Sequence, residues 1–346
     1  MVVPLNIVLY NVINTSDTKG PEIFGTEPLQ YYINNLVLNF NLIAPLAYLG
    51  IVVIPLLSKL KRVNDTGLRA REIMVIIAGL PLWSFIFFQQ PHKEERFLYP
   101  IYSLINVSAA FTIHYLVNSA TALAELIGIN TNFIKFIRKI GIYVVVFTIS
   151  IFSILKTTSL AKNYNGFIEI YKHIPQPPSS DDDDYSQKIV CTGREWHHYP
   201  SSFFLPFNHR LQFTSSSFNG LLPGDFLESE SIFNGVRNIP DGMNDMNIYD
   251  PSKITQLAEC DYFVDIEEDV DSESNEVDFW KLANDKETLS DSLGQWELIH
   301  DVEVLDVKKS WGLLKLIWLP EPIRQLAGSK LGVVEYGRVG LFKRVA

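Results

Sequence analysis

The chain has 346 residues, 47% of them hydrophobic, and its 39 acidic against 29 basic side chains give a formal charge of −10. That balance argues against a nucleic-acid partner, since phosphate recognition needs clustered Lys and Arg. The average hides a division: the long apolar runs lie before residue 160 and most of the acidic residues after it. Two parts in different solvents are expected, a membrane-embedded half and a water-exposed half.

In chain order, the opening "MVVPLNIVLYNV" has neither a basic leader nor a small-residue cleavage site and does not read as a secretory signal. Four runs then reach or approach the about 20 apolar residues that a spanning helix needs. They are Leu36 to Leu57, the shorter Ile73 to Phe88, Phe97 to about Leu123, and Ile140 to Leu155. Pro45, Pro55, Pro81 and Pro100 fall inside these runs, and are expected to be tolerated because neighbouring helices absorb the freed backbone groups.

Loop charge sets an expected orientation. Lys59, Lys61, Arg62, Arg69 and Arg71 separate the first two runs, and Lys135, Arg138 and Lys139 separate the last two. By the positive-inside tendency both loops are cytoplasmic. Residues 1–35, the cluster His92–Arg96 and everything beyond about residue 158 then face the far side, the lumen in an endomembrane system. The sequon at Asn14 falls there and is an expected glycosylation site. Those at Asn64 and Asn106 fall in a cytoplasmic loop and a span, where they are expected to be silent.

The stretch "QQPHKEERFLYPIY", Gln89 to Tyr102, packs titratable groups between two apolar runs. Such groups at a membrane boundary are costly and usually have a partner or a task. One reading is an interfacial anchor, with Lys93 and Arg96 snorkelling and Tyr99 and Tyr102 in the aromatic belt. The other is a site for a lipid-linked phosphate, held by Lys93 and Arg96, with His92, Glu94 and Glu95 orienting a polar acceptor or exchanging protons with it.

Beyond Leu155 the composition turns polar. "PQPPSSDDDDYSQ" reads as a solvated loop, and adjacent carboxylates such as Asp181 to Asp184 seldom make a defined site, so no metal is expected. From Ile189 short strand-like runs follow: "SSFFLP", "RLQFTSS", "CDYFVDIE", "QWELIHDVEVLD" and "YGRVGLFKRV". His197-His198 beside Trp196 admits a metal or sugar platform, or plain packing of Trp196 and Tyr199. Cys191 and Cys260 are the two cysteines, and in an oxidising lumen a disulfide between them is expected, against the alternative of two buried thiols.

Several motifs also carry a resemblance. "HKEERFLYPIY" resembles the signature of endoplasmic-reticulum mannosyltransferases that use dolichyl-phosphate mannose, most closely the branch forming alpha-1,2 links in asparagine-linked glycosylation. Tyr10, Asn11, Gly25, Thr26, Glu27, Pro28, Tyr31, Tyr32 and Asn39 resemble a lumenal segment of that family. "CTGREWHHYPSSFFLP", "GLLPGDF" and "CDYFVDIE" resemble its lumenal C-terminal domain. The resemblance runs from about residue 3 to the end and is to the C-terminal portion of longer relatives.

It implies a polytopic alpha-helical membrane protein of GT-C type followed by a small lumenal mixed alpha/beta or mainly beta domain. The expected order is a lumenal segment (1–35), a membrane domain with about four spans (36–158), a linker with an acidic loop (159–188) and a lumenal domain (189–346). The implied reaction moves mannose from dolichyl-phosphate mannose, without a cofactor, onto a dolichyl-diphosphate-linked oligosaccharide in the endoplasmic-reticulum membrane. The implied chemistry is a single inverting displacement. His92, Lys93, Glu94, Glu95 and Arg96 are assigned to donor phosphate and acceptor positioning, with Tyr10, Asn11 and Glu27 as a second set. The base is expected upstream of Met1, Glu94 or Glu95 being the alternative. Two other readings stay open: a sister transferase acting on glycolipid anchors or making alpha-1,6 links, and a non-catalytic accessory subunit.

Overall fold

The computed structural model describes residues 9, 21–60, 67–176, 186–225, 231–270, 276–284, 294–327 and 330–345. Tyr10, Asn11, Asn14, Asn64 and Asp181 to Asp184 lie outside the described residues. The chain divides into two units, Met1–Ile154 and Leu155–Ala346.

The first unit is helical: α1 (Leu29–Phe40), α2 (Ile43–Leu57), α3 (Ala70–Ile77), α4 (Gly79–Gln89), α5 (Tyr99–Leu126) and α6 (Thr131–Asn163), the last running on into the second unit. Ala70–Gln89, Glu95–Leu126 and Thr131–Asn163 are each long and apolar enough to cross a membrane. The expected first span, Leu36 to Leu57, is corrected: α1 and α2 meet at a bend of 106°, a broken span or a re-entrant pair. The break falls at Asn41, whose φ is 50°, and asparagine is among the few non-glycine residues that tolerate positive φ.

The prolines have a more local explanation than absorption by neighbours. Pro45, Pro81 and Pro100 sit in the first turns of α2, α4 and α5, where the missing N–H has no intrahelical partner to lose. Pro81 also explains why α3 and α4 separate at Ala78. Of these four, Pro55 alone lies beyond a first turn, in the last turn of α2.

Small residues let α2 lie close against α5. A Cβ added to Gly50 would meet Thr112 Oγ1 at 2.1 Å and Ser108 Oγ at 3.1 Å. Ser108 Oγ donates to the Ala47 carbonyl at 2.7 Å, tying the helices where both backbones approach. Around this contact Tyr32, Leu36, Ala44, Ala47, Leu80, Leu98, Ile101, Ile105 and Ala109 form a buried cluster. By contrast, α6 exposes Val144, Phe147 and Ile154.

The second unit is built on strands β1 (Lys188–Thr192), β2 (His209–Phe213), β3 (Tyr262–Ile266), β4 (Gln295–Leu305) and β7 (Tyr336–Val345), with β5 (Trp311–Gly312) and β6 (Gly332–Val333) paired separately. The larger sheet runs β2-β1-β3-β7-β4. β1 is parallel to β2 and β3, whereas β7 is antiparallel to β3 and β4. Both faces are covered. Ile170, Tyr171 and Ile174 pack one face against Val190, Val264, Val304 and Leu341. Cys191, Cys260, Phe279, Trp280 and Trp296 pack the other against Phe263 and Phe342. Residues 159–188, read as a linker, therefore supply part of this core, through Ile170 to Ile174.

Two further expectations change. "SSFFLP" is not a strand: Ser201 to Phe204 close a 3₁₀ stretch, Trp196–Phe204, with Pro200 inside it and Pro206 just beyond. Two prolines so close deny a strand its ladder donors. β1 instead carries the chain into the sheet, and its short apolar run had no periodicity to announce it. Cys191 in β1 and Cys260 just before β3 form a disulfide with Cα atoms 5.8 Å apart. Beside it Arg194 grips Asp265 with two parallel bonds, Nε to Oδ1 at 2.8 Å and Nη2 to Oδ2 at 2.7 Å.

Candidate functional site

The charged cluster does not stand alone. Gly25 has φ +105°, a conformation that L side chains rarely adopt, and this presents its carbonyl to His92. His92 Nδ1 lies 2.6 Å from that oxygen. The Glu27 amide donates to the Pro91 carbonyl at 3.0 Å, and Lys93 Nζ donates to the Glu27 carbonyl at 2.8 Å. Residues 24–27 are thus laced onto the loop between α4 and α5. Trp83 Nε1, donating to the Phe97 carbonyl at 2.7 Å, fixes the far end of that loop.

Protonation follows from these partners. The Gly25 carbonyl can only accept, so Nδ1 of His92 carries a proton. Nε2 lies 3.0 Å from Glu94 Oε1, a second acceptor when that carboxyl is ionised. Arg96 closes on the same carboxylate, Nη2 to Oε1 at 2.8 Å with Nε on Oε2. Glu94 is bracketed by His92 and Arg96. Arg96 is the outer one, its side chain 68% exposed.

The five cluster residues have different parts. Lys93 is buried, and two of its three N–H donors go to the carbonyls of Glu27 and Gln90, the latter at 2.5 Å. Burial lowers its pKa, partly offset by the Glu27 carboxylate. Through these two carbonyls it braces the junction of the two segments. Glu95 is held elsewhere: its Oε1 accepts from Asn39 Nδ2 at 2.7 Å and from Tyr102 OH at 3.0 Å. A cavity of about 400 Å³ opens among Phe24–Glu27, Tyr31, His92–Glu94 and Arg96, with Glu95 absent from its lining. That volume is within the range of small-ligand sites.

Both laced segments fall within residues 1–206, which match the model of the Alg9-like mannosyltransferase family. The chain belongs to that family. Its similarity extends past the matched region. It is 38% identical over 324 residues to the alpha-1,2-mannosyltransferase ALG9 of Saccharomyces cerevisiae, covering 93% of this chain and 51% of that protein. It is 36% identical over 271 residues to alpha-1,2-mannosyltransferase alg9 of Schizosaccharomyces pombe, covering 76% of this chain and 45% of the relative. With human alpha-1,2-mannosyltransferase ALG9 the figures are 30% over 336 residues, 92% and 50%. The chain thus spans about half the length of these curated Alg9-like relatives. No solved structure matches it.

Of the assigned residues, Glu27, His92, Lys93, Glu94 and Arg96 come together at one cavity, and Glu95 does not join them. Tyr10 and Asn11 lie outside the described residues. One of the two sequence readings puts Tyr102 in an aromatic belt, and neither gives Asn39 a task, yet both hold Glu95. The i,i+7 spacing of Glu95 and Tyr102 was the available signal for the first. Nothing local pointed from Asn39 to a carboxylate 56 positions away.

Proposed function

We propose that the chain serves transfer of mannose from dolichyl-phosphate mannose to a dolichyl-diphosphate-linked oligosaccharide, with formation of alpha-1,2 links. The observation that carries this reading is the junction of residues 24–27 with His92–Arg96. It gathers an exposed guanidinium, an imidazole and a buried ammonium around a cavity at one end of the apolar helices. Family membership supports the same reaction, and each relative above bears the alpha-1,2 name.

The chemistry follows from charge. The acceptor hydroxyl oxygen attacks C1 of mannose opposite the phosphate. Its proton passes to a carboxylate, and the breaking C1–O bond leaves its electron pair on phosphate. Cationic donors poised at that oxygen stabilise the departure. Arg96 suits the task because its fork, closed on Glu94, matches phosphate oxygens equally well. Glu94 is not free to act as base while His92 and Arg96 hold it, and Glu95 is engaged by Asn39 and Tyr102. In this reading the base is a carboxylate outside this cluster, and no cofactor takes part.

The reading includes an endoplasmic-reticulum membrane location with the second unit in the lumen. Basic residues near 59–71 and 135–139 support a cytoplasmic face opposite the His92–Arg96 loop, and the disulfide supports an oxidising compartment for the second unit. The decisive experiment is complementation of cells lacking this mannosyltransferase by the complete gene, with profiling of lipid-linked glycans. The unaltered gene restores full-size glycans, and Arg96→Ala stalls them at an intermediate. An unaltered gene that fails to restore them, or an Arg96→Ala profile identical to it, overturns the proposal.

A further inference from the structure

The turn after β1 holds three donor atoms that the transfer chemistry does not use. Glu195 opens the 3₁₀ stretch Trp196–Phe204, and the His198 amide donates to the Glu195 carbonyl at 2.9 Å. With three residues per turn, positions i and i+3 eclipse, so the Glu195 and His198 side chains rise on one side. His198 Nε2 lies 3.3 Å from Glu195 Oε2, and His197 Nε2 lies 3.9 Å from the same oxygen. The three donor atoms all fall within 4.8 Å of one another.

We propose that Glu195, His197 and His198 form a zinc site that fastens the turn following β1 in the second unit. Four ligands at about 2.0–2.1 Å around tetrahedral zinc stand roughly 3.3 Å apart. The Glu195–His198 pair already has that spacing. His197 Nε2, at 3.9 Å from the Glu195 oxygen, must move inward by about 0.6 Å or more to reach that spacing, and its side chain, 53% exposed, has the room to do so. The outward side leaves a fourth position to water.

Two surrounding features favour a cation here. The Glu195 carboxylate is buried, its side chain 11% exposed, and among the described residues no Lys or Arg forms an ion pair with it. Asp265 and Glu268 add negative charge around it, against smaller opposing effects of Arg194 and Lys308. A buried carboxylate without a cationic partner is costly, and a bound metal removes that cost. Moreover, the His198 ring is stacked on Phe167, centroids 3.8 Å apart at 14°. That stacking restrains the plane of the His198 ring. Two imidazole nitrogens and one carboxylate oxygen suit zinc, whereas calcium and magnesium favour all-oxygen sets.

The test is zinc content of the full chain in detergent, by elemental mass spectrometry after equilibration with zinc and removal of loosely held metal. A parallel titration with cobalt(II) reads tetrahedral binding by visible absorption. The expected result is one zinc per chain, with His197→Ala and Glu195→Gln each weakening binding by at least about 10–100-fold, the cost of losing even a group that only supports a ligand. His197 is exposed, so its variant keeps the fold, checked by unchanged gel filtration and circular dichroism. His300→Ala, at the stacked His173–His300 pair, leaves the zinc in place. Absence of retained zinc, zinc unchanged in His197→Ala and Glu195→Gln, or zinc lost with His300→Ala overturns the proposal.

Discussion

Nδ1 of His92 and the carbonyl oxygen of Gly25 lie 2.6 Å apart, joining positions separated by 67 residues. The contact depends on Gly25 at φ +105°, so Gly25→Ala carries backbone strain of about 1–3 kcal/mol. Strain relieved by moving the carbonyl away from His92 lowers transfer roughly 10–100-fold at about 1.4 kcal/mol per tenfold. Gly141→Ala is the control, since its Cβ meets nothing within 4 Å and its φ is ordinary. The measure is the initial rate of lipid-linked glycan elongation in microsomes carrying each variant.

Adjacent glutamates separate in the same assay. Glu94→Gln discards the carboxylate that holds His92 and Arg96 together, and a loss of at least about 100-fold is expected if both side chains must be poised for phosphate. Glu95→Gln keeps an oxygen that accepts from Asn39 and Tyr102, and a loss below about tenfold is expected. Equal effects of the two changes contradict the division of roles.

Helix packing gives a stability prediction. At Gly50 even alanine brings Cβ to 2.1 Å from Thr112 Oγ1. Gly50→Ala therefore lowers stability by about 1–3 kcal/mol through overpacking. Thr112→Ala combined with it recovers part of the loss, because the clashing oxygen is gone. Thermal denaturation in detergent followed by gel filtration reports both.

One exposed ion pair sets an acid response in the second unit. Arg338 donates to Glu267 through Nε and Nη2, each at 2.7 Å. These bonds hold the Glu267 carboxyl below its ordinary value of 4.5, against a smaller opposing effect of burial. A depressed carboxylate contributes stability that is complete above the unfolded pKa and fades as pH falls through the folded one. Glu267→Gln is expected to flatten the stability-against-pH curve from about pH 4.5 downward, with little change at pH 7. Acid titration of the denaturation midpoint checks it.

The apolar runs and the last strands were legible in the sequence because they repeat a simple pattern. Length and hydropathy located three of the long helices, and "YGRVGLFKRV" coincides with β7. The bend at Asn41 was not legible, since a single positive φ leaves no periodic trace. β1 was missed because five short residues after an acidic loop favour no period. At the site, residue types marked the cluster. The division into strut, bracket and bystander came from carbonyl partners at Gly25, Glu27 and Gln90, and main-chain acceptors have no sequence signature.

The strand synthesised last of the five in the main sheet does not sit at its margin. β7 lies between β3 and β4, and β4 pairs with no other strand among the described residues. The ribosome must therefore release residues 336–345 before the sheet can close, leaving β4 waiting as an open template in the meantime. A premature stop codon anywhere ahead of Tyr336 would strand β4 and uncover Val304 and Trp296. Its product is a substrate for quality control rather than a slightly shortened protein.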